Sequence, residues 1–219
     1  MRSTALIALL CALVGAACGD DSKSAADSDG AAAIVETEST TTPAGEPDWA
    51  APLVLDPAKQ SPPFTLRDYT GEEVSLADYR GKAVMLTFVY AQCPDVCQLI
   101  IQALARAQRQ LGADADKMQI VAVSIDPKGD TPENVERYLG ARQLVGEARY
   151  LVGTRAELAP IWRKYGIRVA PGETNPEELA HSSFIYGIDA SGKQRVIYPA
   201  DPLDPNAIAS DVALLVDAD

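Results

Sequence analysis

The chain holds four cysteines and a single histidine. Cys93 and Cys97 follow directly on an apolar run, in Met85-Leu86-Thr87-Phe88-Val89-Tyr90-Ala91-Gln92-Cys93-Pro94-Asp95-Val96-Cys97, and His181 lies far downstream. Two thiols and one imidazole are a suitable ligand set for a soft transition metal. Thiols alone also support disulfide exchange. The spacing favours a metal. Redox centres commonly use Cys-x-x-Cys, usually after a Trp, whereas here an extra residue separates the thiols and Gln92 precedes them. A wider loop lets both sulfurs reach one ion from opposite sides, and it can still close as a disulfide. A purely structural disulfide explains the pair poorly, because closing so short a loop stabilises little. Taken alone, His181 reads most simply as a satisfied polar residue.

The elements around these residues follow from local pattern. Pro63 to Asp68 reads as a short strand, turning through Tyr69-Thr70-Gly71-Glu72 into Glu73-Val74-Ser75-Leu76. Ala83 to Tyr90 is apolar apart from Thr87, which predicts a strand buried on both faces. Ile100, Leu104, Ala107 and Leu111 recur at helical steps and predict a helix from about Cys97 to Leu111. Its N-terminus carries positive partial charge that favours thiolate. Met118 to Ile125 predicts a second buried strand. Thr131-Pro132 opens a helix as N-cap and first residue. Arg149 to Gly153 reads as a short extended piece. Thr154 and Glu157 form a capping-box pattern ahead of Leu158, Ile161, Trp162 and Tyr165. Pro160 should kink that helix or shift its start. Val169 to Ala180 reads as a polar loop, Ser183 to Ile188 and Gln194 to Tyr198 as strands around a turn, and Pro205 to Val216 as a terminal helix. This order predicts an α/β domain with a mixed central sheet flanked by helices, in the order of the thioredoxin fold, with an N-terminal hairpin extension. The cysteines fall at the carboxyl end of a central strand, where ligands of open α/β sheets tend to bind.

Three segments divide the chain. Residues 1–18 have the layout of a secretory signal: Arg2, the apolar run Ala5 to Val14, then Gly15-Ala16-Ala17 before Cys18. The run is too short to span a bilayer. Cys18 after small residues resembles a bacterial lipoprotein cleavage site, which implies lipidation of Cys18 and an extracytoplasmic location on a bacterial membrane, on the periplasmic side. Residues 19–51 contain eight acids and one lysine, −7 of the net −12. So polar a segment cannot offset its ordering entropy, and a disordered acidic tether is expected. Residues 52–219 are expected to form one domain, monomeric, and large enough to fold without a disulfide. The acidic balance argues against nucleic-acid binding.

Three motifs carry a resemblance. Tyr90-Ala91-Gln92-Cys93-Pro94-Asp95-Val96-Cys97, Ser124-Ile125-Asp126-Pro127-Lys128-Gly129-Asp130-Thr131-Pro132 and His181-Ser182-Ser183-Phe184-Ile185-Tyr186, in that order, resemble the signatures of the Sco/SenC family of copper-delivery proteins. The resemblance implies a thioredoxin-like fold with one copper per chain, Cu(I) or Cu(II), held by Cys93, Cys97 and His181. It implies as partner the copper-bearing subunit of a cytochrome c oxidase, or another copper chaperone. The alternative is a thiol-disulfide oxidoreductase that keeps the client's copper-ligand cysteines reduced, with Cys93 and Cys97 as its redox pair. Two positions depart from the pattern. Gln98 stands where Pro is common, and Ala180 where an Asp often precedes the histidine, so a carboxylate that could orient the imidazole is missing. Asp126 and Asp130 are expected to serve turn and capping chemistry, and Tyr90 simple packing. His181, on a loop, is expected to move during ligand exchange.

Overall fold

A computed structural model describes residues 51–171 and 179–218. The expectations for the signal segment, Cys18, the tether and Trp49 lie outside the described residues, as does the centre of the 169–180 loop. In chain order the strands are β1 (Leu53–Gln60), β2 (Thr65–Asp68), β3 (Glu73–Ser75), β4 (Ala83–Val89), β5 (Met118–Ser124), β6 (Ala148–Val152), β7 (Val169–Pro171), β8 (Leu179–His181), β9 (Phe184–Ile188) and β10 (Lys193–Pro199). The helices are α1 (Val96–Gln110), α2 (Pro132–Gly140), α3 (Arg155–Lys164) and α4 (Pro205–Val216).

Strand β4 is buried along its whole length, as a continuous apolar run must be at the centre of a covered sheet. Burying one such side chain, Phe88 for example, contributes about 1.5–3 kcal/mol. The one hydroxyl in the run, Thr87, donates to the Phe184 carbonyl at 3.0 Å, so no polar group is left unpaired. Strands β5 and β6 extend the sheet in parallel on one side of β4. On the other side β9 and β10 pair antiparallel. The whole sheet runs β1-β10-β9-β4-β5-β6-β2-β3. The expected β2–β3 hairpin is therefore a continuation of the sheet beyond β6. Phe88, Tyr165 and Tyr186 pack edge-on or tilted, with ring centroids 5.3–6.1 Å apart.

Helix boundaries follow the caps. Thr131 accepts from the Asn134 N–H with Pro132 at the first position. Both halves of the Thr154–Glu157 capping box are present. Helix α3 starts where that box places it and continues past Pro160 to Lys164. The N–H that proline lacks would have bonded the Ala156 carbonyl, so the helix forgoes one internal bond near its amino end and continues.

One segment carries no expectation from the sequence and another differs from its own. Residues 53–60 form an exposed edge strand on β10, interrupted between Val54 and Lys59, where Pro57 sits. An edge strand tolerates such a proline, and its exposure removes the alternation that would mark it. The flanks of the 169–180 loop pair with one another as a two-stranded antiparallel ribbon, Val169 opposite His181 and Pro171 opposite Leu179.

Gly187 of β9 lies under Leu215 of α4 and beside Val196 of β10. A Cβ there would collide with Val196 Cγ1 and stand 3.3 Å from Leu215 Cδ1. Gly187→Ala is expected to destabilise the domain by about 1–3 kcal/mol, read as a lowered urea midpoint, because β-branched Val196 cannot turn away inside a packed sheet.

Candidate metal centre

The chain leaves β4 through Tyr90-Ala91-Gln92 and turns at once, with the Cys93 N–H donating to the Tyr90 carbonyl at 3.2 Å. The turn is held from below by Asp130. Its Oδ1 accepts from the Ala91 N–H at 2.7 Å, and its Oδ2 accepts from Ser124 Oγ at 2.6 Å and Tyr150 Oη at 2.8 Å. Asp130 is only 6% exposed. Asp126, by contrast, does the expected turn chemistry, accepting from the Lys128 N–H at 3.1 Å. Asp130 does more, since it ties the second motif to the cysteine loop.

Helix α1 begins at Val96, so Cys97 lies in its first turn and Cys93 just ahead of it. Both thiols are free, Cys93 4% and Cys97 0% exposed. The helix opens without a side-chain cap. Its free N–H groups at Asp95 and Cys97 face the Cys93 sulfur.

His181 is the last residue of β8. The base of its ribbon is closed by the Ser182 N–H on the Arg168 carbonyl at 3.2 Å and by the Arg168 N–H on Ser182 Oγ at 3.3 Å. The His181 Nδ1–H donates to the Ser182 carbonyl at 3.0 Å. A carbonyl only accepts, so this bond fixes the tautomer and leaves a lone pair on Nε2. Nε2 lies 3.6 Å from Cys97 Sγ, across 84 residues of sequence. The Ser182 carbonyl thus orients the ring, the task for which Ala180 supplies no carboxylate. The ring also meets Tyr90 edge-on, centroids 6.1 Å apart. His181 therefore sits on a paired ribbon and not on the free loop that its neighbours' composition suggests.

The charges are uneven across the site. The Cys93 thiol is drawn down to about 6, chiefly by the hydrogen bond from Cys97, with the backbone N–H groups of the helix start and the Tyr90 hydroxyl adding to it against burial. Cys97 is pushed well up by the same bond and by burial, so it keeps its proton. Burial holds His181 below its ordinary value, hence neutral. Burial raises Tyr90 to about 12. The result is one ready thiolate, one thiol and one imidazole lone pair. Among the described residues no three His, Cys, Asp or Glu side chains stand as a finished metal cage. The donor chemistry nevertheless fits a thiophilic ion. Metal bonds of about 2.3 Å to sulfur and 2.0 Å to imidazole nitrogen can both be met across the Cys97–His181 separation. Closing the set asks for loss of the Cys97 proton. A closed structural zinc site would want a fourth ligand.

Three contributors were hidden in the sequence. Tyr90 touches both Cys93 and His181, Asp130 holds Ala91, and Tyr138 of α2 donates from its hydroxyl to the Cys97 carbonyl at 2.9 Å. Tyr90 and Asp130 had a local signal, their places in the first and second motifs, and Tyr138 had none.

Alkylation of the reduced protein by iodoacetamide should rise with a midpoint near pH 6 at Cys93 and leave Cys97 unmodified, as peptide mass mapping will report. Asp130 is raised to about 6 by burial, so folding favours its protonated form. Its contribution to stability is fullest at acid pH and declines as pH rises through about 6. The stability gap between wild type and Asp130→Asn, a permanently neutral side chain, should narrow over that range in urea titrations.

The family profile described as SCO1/SenC matches residues 54–217. Over 138 residues the chain is 29% identical to the mitochondrial SCO1 homolog of Homo sapiens, covering 60% of this chain and 44% of that protein. The chain spans about half the length of the mitochondrial relatives it matches. Bradyrhizobium japonicum ScoI, solved with copper bound, is 28% identical with a TM-score of 0.63, covering 71% of this chain and 99% of that one. BsSco, described as a member of the Sco family of cytochrome c oxidase assembly proteins and solved in connection with a disulfide switch, is 22% identical with a TM-score of 0.64, covering 76% and 99%. At that identity the likeness speaks for the thioredoxin-like fold alone. The profile takes in β1 through α4, with the cysteine loop and the histidine ribbon between them, and the chain belongs to the SCO1/SenC family.

Proposed function

We propose that this chain is a copper-delivery protein that carries one copper on Cys93, Cys97 and His181. The observation that supports this best is the approach of His181 Nε2 to Cys97 Sγ at 3.6 Å, with its lone pair held free by the Ser182 carbonyl. Cys93 is already inclined to the thiolate that soft metals take. Two thiolates suit Cu(I), and the imidazole adds the donor that Cu(II) prefers. The copper-bound ScoI relative lends weight to copper over zinc.

The proposed client is the copper-bearing subunit of a cytochrome c oxidase, or another copper chaperone. Its support is family membership. The proposed setting is extracytoplasmic, on the periplasmic side of a bacterial membrane, with Cys18 as lipid attachment and residues 19–51 as the tether. No helix among the described residues is long and apolar enough to cross a membrane.

Delivery on this reading is ligand exchange. Cys97 gives up its proton as the metal enters, and Tyr90 and the packed ribbon limit water around the sulfurs. His181 is the donor most easily exchanged, since it belongs to a short ribbon and the cysteines to the core. Reduced full-length protein should take up one equivalent of Cu(I) or of Cu(II), the latter with a thiolate charge-transfer band. His181→Ala should weaken Cu(II) binding by roughly 100-fold or more while sparing Cu(I), and Cys93→Ser or Cys97→Ser should abolish the band. Preference for zinc, or uptake of no metal, would sink the copper reading. Thiol-disulfide turnover that survives His181→Ala, in a chain that takes no copper, would favour the reductase instead.

A further inference from the structure

Gln98 and Arg142 lie outside the three donors, yet both reach the cysteine loop. The Gln98 Nε2 donates to the Cys93 carbonyl at 2.9 Å. Its Oε1 accepts from Arg142 Nη2, and Arg142 Nη1 donates to the Tyr138 carbonyl. The guanidinium lies 4.0 Å from the centre of the Tyr138 ring. Tyr138 in turn donates from its hydroxyl to the Cys97 carbonyl. A continuous chain of contacts therefore runs from the carbonyl of one cysteine to the carbonyl of the other, through two side chains of the α2 region.

This arrangement is costly in isolation. The Arg142 Nε is buried with no hydrogen-bond partner. Gln143, the next residue, takes a left-handed φ of 58°, a conformation in which non-glycine residues are uncommon. The backbone there closes through the Gln143 N–H on the Gly140 carbonyl and the Leu144 N–H on the Leu139 carbonyl, the helix ending that ordinarily carries glycine. Buried unpaired donors and strained backbone persist where the surroundings over-determine them, and they cluster at functional sites. Gln98 is also one of the two positions where this chain departs from the pattern it otherwise resembles. A proline there could form neither of the side-chain bonds.

We propose that Gln98 and Arg142 are positioning residues for the Cys93–Cys97 pair. Together with Tyr138 they form a brace that holds the reduced loop with both sulfurs turned to the same side. The proposal deepens the metal-site reading and rests on it for its purpose, but the brace itself can be measured without metal. The contacts of the brace are made by the dithiol form, and on this proposal closing the disulfide turns the two cysteine carbonyls away from Gln98 and Tyr138, so losing the brace favours the disulfide.

The test is thiol–disulfide exchange of the metal-free full chain with glutathione. In that exchange the two protein thiols become one S–S bond, oxidised glutathione is cleaved to two reduced molecules, and two electrons pass to it. Gln98→Glu keeps an acceptor for Arg142 but puts a carboxylate where the donor to Cys93 stood. Its melting temperature should stay within about 3 °C of wild type. Its equilibrium should move toward the disulfide by about tenfold, equivalent to roughly 30 mV. Arg142→Met should shift in the same direction, and Arg142→Lys less, since an ammonium keeps the charge without the fork. Equilibria within about twofold of wild type in Gln98→Glu and Arg142→Met, with folding intact, would overturn the brace. If Arg142→Met fails to fold, Gln98→Glu alone decides. Loading the same proteins with Cu(II) separates the two ideas. A wild type that refuses copper defeats the metal reading and leaves the exchange result standing. A wild type that binds copper while the variants match it in exchange defeats the brace.

Discussion

The conformation of the cysteine loop depends on one buried carboxylate. A loop that leaves a central strand and enters a helix at once carries backbone N–H groups that neither element satisfies. Here Asp130 takes the Ala91 N–H. Burying a carboxylate is itself unfavourable unless it is hydrogen-bonded. Asp130 meets that condition by also accepting from Ser124 and Tyr150, one at the end of β5 and one on β6. The same group thus closes three strands' worth of polar groups and sets where Cys93 can stand. Helix α2, which starts two residues later, then reaches the loop again through Tyr138 and, just past its end, through Arg142. One short helix and its flanks grip the loop at three places.

The histidine comes to the cysteines through strand register. β9 runs antiparallel to β4, with Leu86 opposite Tyr186 and Thr87 opposite Ile185. The carboxyl end of β4 therefore lies beside the amino end of β9. His181 stands three residues before Phe184, about 10 Å of extended chain at most. It must fall close to the residues that follow Val89, whatever path the 172–178 segment takes. The Thr87 hydroxyl on the Phe184 carbonyl fixes that corner. A polar residue in an otherwise apolar run thus positions a donor that sits far away in sequence.

Much of this was legible in the residues alone. The uninterrupted apolar run gave β4, because only a doubly covered strand has no use for polar alternation. Thr131, Thr154 and Glu157 placed two helix starts to the residue, because capping chemistry is local. The cysteines and the histidine stood out by rarity. What the residues do not signal depends on partners remote in sequence. β1 has no pattern of its own and exists through β10. The ribbon at 169–181 is short, and its pairing is invisible in a polar stretch. Asp130 reads as a turn residue in isolation, since nothing in Gly129-Asp130-Thr131 announces that its carboxylate turns inward. Arg142 and Gln98 meet across 44 residues, and neither residue type signals the other. Ala180 pointed to an unoriented imidazole because a backbone carbonyl, present at every residue, cannot be read as a specific partner.

The asymmetry of the two thiols bears on how such a site would work. Cys93 and Cys97 differ by one helical turn, yet the first is drawn toward thiolate and the second away from it. A single proton shared between two sulfurs produces this pattern, because ionising one stabilises the remaining thiol as its donor. An incoming thiophilic ion would meet Cys93 first, already charged and less deeply buried. Cys97 could join only by releasing its proton, since the metal-bound sulfur is the thiolate. Besides the Cys93 sulfur, the Nε2 of His181 lies within reach of that proton at 3.6 Å, and burial keeps the ring neutral. A proton taken there would occupy the same lone pair that the copper reading gives to the metal. The third donor is therefore available only once that proton has gone to solvent. On the copper reading, the two-sulfur and the two-sulfur-plus-imidazole sites become consecutive states of one loop and one ribbon, and the order in which they form is set by where the proton resides.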